Sequence, residues 1–168
     1  MFELKSLRAE AIPAALAKAE RYRLLNEPEQ AESICLDVLR TQPGLQEALT
    51  LLLLAITDGF RTARILDVRR ARAVAEQLES EYERCYYQGI ICERLARAKM
   101  ERGGPLSPHE AYQGFHEAMR WYAKAETLRP RDNDDAILRW NTCVRVLTDN
   151  PQLQPLSPPE ERGELGLE

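Results

Sequence analysis

The stretch EAMRWYAKAETLRP, Glu117 to Pro130, sets a small residue, Ala118, four positions before an aromatic, Tyr122, with Ala125 three further on and Pro130 five beyond that. The same offsets recur in AESICLDVLRTQP as Ala31, Cys35, Val38 and Pro43, and the first two recur in ARAVAEQL as Ala71, Ala75 and Leu78 without the proline. Positions four and seven apart share one face of an α-helix. A proline in the next turn cannot continue that helix. The pattern therefore demands helices that lie close enough to need a small side chain, fill the remaining gap with a larger one, and then turn back.

Apolar residues recur at helical spacing almost throughout, and no segment alternates with period two, so the chain is predicted to be all-α. Seven helices are expected: Pro13–Asn26, Pro28–Thr41, Leu45–Asp58, Leu66–Ser80, Glu81–Arg102, one starting in SPHE and ending before Pro130, and Asp134–Leu147. In SPHE, Ser107 is expected as the N-cap, Pro108 at the first helical position and Glu110 reaching back. The FELKSL segment near the N-terminus is too short to assign. Residues 1–148 form one expected helical domain. The tail 149–168 carries Pro151, Pro155, Pro158 and Pro159 and five acids against one arginine, and is expected to stay extended or flexible unless docked. Its PLSPPE echoes PLSPHE, Pro105 to Glu110, as a second copy of a helix-start signal.

A chain of 168 residues, 44% hydrophobic and 30% charged, can bury one core. Its net charge of −4 argues against general nucleic-acid binding. The N-terminus lacks the apolar core of an export signal, which leaves a cytoplasmic address as the default. The longest apolar run, Leu51–Ile56, is too short to span a bilayer, so no membrane partner is expected.

The repeated offsets resemble the tetratricopeptide repeat, a helix–turn–helix unit, over most of Ile12–Leu147. Tyr22, nine before Ala31, and Gly89 in YYQGIICERL resemble that family's aromatic and packing glycine. NDDAILRWNTC is similar to uncharacterised bacterial members. The family's usual Trp-Leu-Gly opening is absent from the first pair, and DGFRTARILDV adds residues to the middle one. The resemblance implies a right-handed superhelix of about three hairpins plus a C-terminal capping helix, in which Trp140 and Cys143 cover the last pair. Such arrays bury each unit only against its neighbours.

The resemblance also implies a concave groove lined by the first helix of each pair. It assigns Arg23, Thr50, Leu54, Tyr86, Ile90, Glu93, Arg94, Asn141 and Arg145 to that groove. Tyr86 is the expected anchor, Leu54 and Ile90 an apolar floor, and Arg94 and Arg145 an anion-facing rim. Leu16 and Glu20 stand where a carboxylate-clamping lysine/asparagine set would begin, so chaperone-tail binding is not expected. The implied function is a non-catalytic scaffold for a peptide or protein segment. The alternative is a structural, self-associating protein whose groove is filled by its own N-terminus or closed in a homodimer. LQEALTLLLLAI, apolar nearly all round, is expected to be covered by Phe2, Leu4 and Leu7.

No catalytic motif is present: no phosphate loop, no H-E-x-x-H and no G-x-S-x-G. Cys85 and Cys92 are seven apart, as are His109 and His116. Seven residues rise about 10 Å along a helix, whereas two ligands of one metal stand within about 4 Å. Neither pair chelates alone, so no metal or cofactor is expected. All four cysteines read as buried small hydrophobes, with His109 in a first turn and His116 on a partly wet face. Arg61–Arg72 holds five arginines against Asp67, and reads as a solvated face beside the glutamates of EQLESEYE rather than an RNA site.

Overall fold

The structure is a computed structural model that describes residues 2–62 and 65–155. Among these residues there are seven α-helices and no strand: α1 (Ile12–Leu24), α2 (Pro28–Thr41), α3 (Gln46–Asp58), α4 (Ile65–Ala75), α5 (Glu81–Arg102), α6 (Ser107–Leu128) and α7 (Asp135–Asp149). Single 3₁₀ turns, Ala9–Ala11 and Gly59–Thr62, precede α1 and follow α3.

Local chemistry explains most helix ends. α1 stops because Asn26 takes a left-handed conformation (φ 61°). This lets Glu27 N–H donate to Tyr22 O and Asn26 N–H donate to Arg23 O, which satisfies carbonyls that the helix leaves open. Pro28 then starts α2 at a position where no N–H is needed. α2 and α6 end two residues before Pro43 and Pro130 respectively. α5 ends at Gly103, whose φ of 69° suits a residue without a Cβ.

Two expected boundaries are corrected. The fourth helix ends at Ala75 rather than at Ser80, and Ser80 is instead the N-cap of α5, its hydroxyl accepting from Glu83 N–H at 3.3 Å. Ser107 is not an N-cap. It is already helical, and its hydroxyl points back to the Lys99 and Gly103 carbonyls, 2.8 Å from each, at the end of α5. The carbonyls at the close of α5, Lys99 O in its last turn and Gly103 O just beyond it, offer that hydroxyl a better partner than the start of its own helix. Glu110 does not reach back either. It pairs with Lys99 at 3.4 Å.

Each helix packs on the next, and α1 also touches α3 while α3 touches α5. The motif residues are the seams. Ala31, Cys35 and Val38 of α2 are fully buried, as are Ala71 and Ala75 of α4 and Ala118, Tyr122 and Ala125 of α6. Between α5 and α6 the approach is closest. A Cβ on Gly89 would lie 2.6 Å from Tyr122 Cδ1, and a Cβ on Gly114 would lie 2.9 Å from Ala96 Cβ. Cys143 of α7 is buried against this pair, with Trp140 and Leu147 beside it, and the chain returns after α7 to bury Leu153 in the same cluster.

α3 is covered mainly by its neighbouring helices rather than by the N-terminal segment. Phe2 and Leu4 are exposed, while Leu7 is half-buried against the cluster that α1, α2 and α3 share. Residues 5–7 lie along the end of α2, where Arg40 donates to Lys5 O and Thr41 donates to Leu7 O. The tail beyond Pro155, with its PLSPPE echo, lies outside the described residues.

Candidate functional site

On α5, Tyr86, Ile90, Glu93, Arg94 and Arg97 fall on one stripe by helical spacing. On α3, Thr50, Leu54 and Asp58 do the same. Arg94 binds these helices together: its Nη1 lies 2.6 Å from Asp58 Oδ1, 2.6 Å from Thr57 Oγ1 and 3.1 Å from Leu54 O. The other oxygen of Asp58 accepts from Arg23 Nε of α1 at 2.7 Å. One carboxylate thus bridges two guanidiniums from two other helices. Burial pushes the Arg94 pKa down, and Asp58 opposes that shift. A guanidinium keeps its charge even so.

One position before Arg94, Glu93 is 1% exposed. Its Oε2 accepts from the Tyr122 hydroxyl at 2.8 Å, and its Oε1 accepts from Arg97 Nε and Nη2 at 3.1 and 3.0 Å. Arg139 of α7 completes the set, with Nη1 3.5 Å from Oε1. A buried carboxylate persists only when paired and hydrogen-bonded in this way. Burial, followed by the Glu93 charge, pushes the Tyr122 pKa up. For Arg139, burial opposes the charge, but Glu93 and a hydrogen bond with Tyr86 outweigh it and raise the pKa.

The groove residues expected from the sequence do not form one surface. Arg23, Leu54 and Arg94 meet around Asp58. Thr50 hydrogen-bonds Tyr87, whose pKa burial raises to about 12. Tyr86 is half-buried between Tyr82 and Tyr87, with ring centroids 5.9 and 5.1 Å away. Ile90 and Glu93 are buried and do not reach the surface. Asn141 and Arg145 are exposed, on the side of α7 away from buried Cys143. The charged α7 residue that reaches α5 is Arg139, through Glu93.

Sequence reasoning passed over Asp58, Arg97 and Arg139, and read Tyr122 only as filler. Two of these had a signal. Asp58 continues the stripe of Thr50 and Leu54, and Arg97 stands four after Glu93, where helical side chains pair. Four guanidiniums (Arg23, Arg94, Arg97, Arg139) share two carboxylates here, a local cationic excess on a chain of net charge −4. Beside them a cleft of about 180 Å³ is lined by Thr57, Asp58, Arg61, Arg94, Arg97 and Glu101, among others. Such a face can take carboxylates in the fork geometry that arginine favours.

The other features are placed plainly. All four cysteines are buried and free. Burial raises the thiol pKa of Cys35 to about 11 and those of Cys92 and Cys143 to about 12. His116 packs on Tyr112, with ring centroids 4.3 Å apart. Among the described residues, no group of three or more His, Cys, Asp or Glu side chains is placed to hold a metal. In the 61–72 run, Arg61 pairs with Glu101, Arg70 with Glu32 and Asp67, and Arg72 with Glu117. Those acids come mainly from other helices, not from EQLESEYE. Among the described residues no helix is long and apolar enough to cross a membrane. The chain matches no protein-family model, no curated protein and no solved structure.

Proposed function

We propose that this chain is a non-catalytic scaffold: three tetratricopeptide-like hairpins, α1/α2, α3/α4 and α5/α6, with α7 as cap, wound as a right-handed superhelix that holds a protein segment on its inner face. The observation that carries this reading is the Arg23–Asp58–Arg94 bridge. It joins α1, α3 and α5, the first helix of each hairpin, although another helix intervenes each time in sequence. Alternate helices therefore share a face, as a stacked-hairpin array requires. That face offers a half-exposed aromatic, Tyr86, beside charged groups, the combination that anchors partners at interfaces.

The test is a photo-crosslinking residue placed at Tyr86, or at the exposed Arg120 on α6, in chains expressed in the source cell. Discrete adducts to a partner from position 86 and not from 120 are expected. Adducts from 120 alone, or from neither position, would refute the inner face as the binding face. An adduct of two copies of this chain from position 86 would establish self-association instead.

A further inference from the structure

The arginines facing Glu93 have donors to spare. Arg97 and Arg139 are 40% and 35% exposed and share one carboxylate oxygen, whereas each guanidinium carries five N–H donors. The nearby carboxylates are already shared: Asp58 between Arg23 and Arg94, and Glu101, four after Arg97 on α5, with Arg61. Residues 156–168, which lie outside the described residues, carry Glu160, Glu161, Glu164 and Glu168 against Arg162.

We propose that this segment docks in cis across the inner face, with Glu160 and Glu161 on Arg139 and Arg97, and holds that face until a partner segment displaces it. The inference rests on the inner face being the binding face. Its geometry follows from where the chain leaves the helices. α7 starts beside the start of α5, where the Tyr82 hydroxyl donates to Asn133 Oδ1 at 2.9 Å. The two helices therefore run in the same direction, and α7 ends at the C-terminal half of α5. Leu153 is pinned there, in the cluster that holds Cys92, Ala96, Phe115 and Cys143. From Leu153 to Glu160, seven residues reach about 23 Å when extended. Arg139 lies eleven residues back from Asn150, about 17 Å along the helix. The glutamates can therefore reach both arginines without disturbing a helix. Opposite charge, rather than apolar burial, drives the docking, so it is weak and sensitive to salt.

The experiment uses a fluorescein-labelled peptide of residues 156–168, with anisotropy measured against the full chain and against a chain ended after Pro155. The shortened chain is expected to take the peptide. The full chain is expected to take it about tenfold more weakly, because a tethered copy competes at an effective concentration in the millimolar range. Raising salt from about 50 to 500 mM is expected to abolish capture by the shortened chain. Glu160→Gln, Glu161→Gln, Glu164→Gln and Glu168→Gln together, placed in the full chain, are expected to restore capture to the shortened chain's level. These substitutions change no residue of the described helices, whereas Arg97→Gln with Arg139→Gln would take partners from Glu93. Equal capture by full and shortened chains, or capture of a peptide carrying the same four glutamines, overturns the proposal. Capture of an unrelated glutamate-rich peptide but not of 156–168 also overturns it, while leaving the inner face as a site for acidic segments in trans. Capture of neither peptide removes charge matching altogether, and the crosslinking at Tyr86 then decides the inner face independently.

Discussion

Replacing Gly89 with alanine would test the nesting of α5 and α6 directly. The new Cβ would lie 2.6 Å from Tyr122 Cδ1 and 2.9 Å from Cζ. Unstrained carbon contacts begin near about 3.5 Å, so the helices must find on the order of 1 Å. The ring has little freedom to yield: Tyr122 is fully buried and its hydroxyl is held by Glu93 at 2.8 Å. Separation of the helices is resisted two turns away, where Gly114 admits Ala96. Overpacking of this kind costs about 1–3 kcal/mol. Alanine recovers about 1 kcal/mol of helix propensity over glycine, so the net loss is up to about 2 kcal/mol. The decisive measurement is a double-mutant cycle with Tyr122→Ala by urea unfolding, followed by far-ultraviolet circular dichroism. Tyr122→Ala alone costs about 3–5 kcal/mol, so the cycle is run in a stabilising osmolyte. With the ring gone, Gly89→Ala is expected to stabilise by about 1 kcal/mol, which gives a coupling of about 1–3 kcal/mol. If Gly89→Ala stabilises the native chain by the same amount, the ring does not sit on the glycine and the seam is wrongly described.

Glu93→Gln keeps the shape of the side chain and an acceptor for the Tyr122 hydroxyl but removes the charge that Arg97 and Arg139 share. It is expected to cost about 2–3 kcal/mol by denaturant titration, and a loss below about 0.5 kcal/mol would show that water already screens the network. The buried thiols make stability fall in alkali. Their folded pKa values stand at about 11 for Cys35 and about 12 for Cys92 and Cys143, above the ordinary 9.0. The folded chain thus binds more protons than the unfolded chain in this range, and stability declines as pH rises. The contribution is full well below pH 9 and is lost as pH climbs from 9 through 11 and 12. Urea midpoints at pH 7, 8 and 10.5 are expected to be level and then to fall, and an unchanged midpoint at 10.5 would refute the burial of these thiols.

Six of the seven helices begin and end within about two residues of where the sequence places them, because the signals at those ends are local. Pro28, Pro43, Gly103 and Pro130 act through their own backbones, whatever surrounds them. The misplaced ends, the close of α4 and the role of Ser107, depended on competition. Ser107 could cap its own helix or the one before, and only the proximity of Lys99 O and Gly103 O decided between them. The same division runs through the candidate site. The resemblance picked out Tyr86, Arg94 and Leu54, but could not say that Glu93 would be closed over by a tyrosine from α6 and an arginine from α7.

By itself, then, the sequence determined which segments are helices, which small residues form their seams, and that Tyr122 must fill a gap, since these follow from spacing along one chain. Tertiary structure alone decided which charges meet. Asp58 joins Arg23 to Arg94 across 35 and 36 positions, and Glu93 meets Arg139 across 46. Helical periodicity fixes the direction of a side chain about its own axis, but not the rotation and offset of one helix against another. Those are set by how the small residues allow the helices to nest.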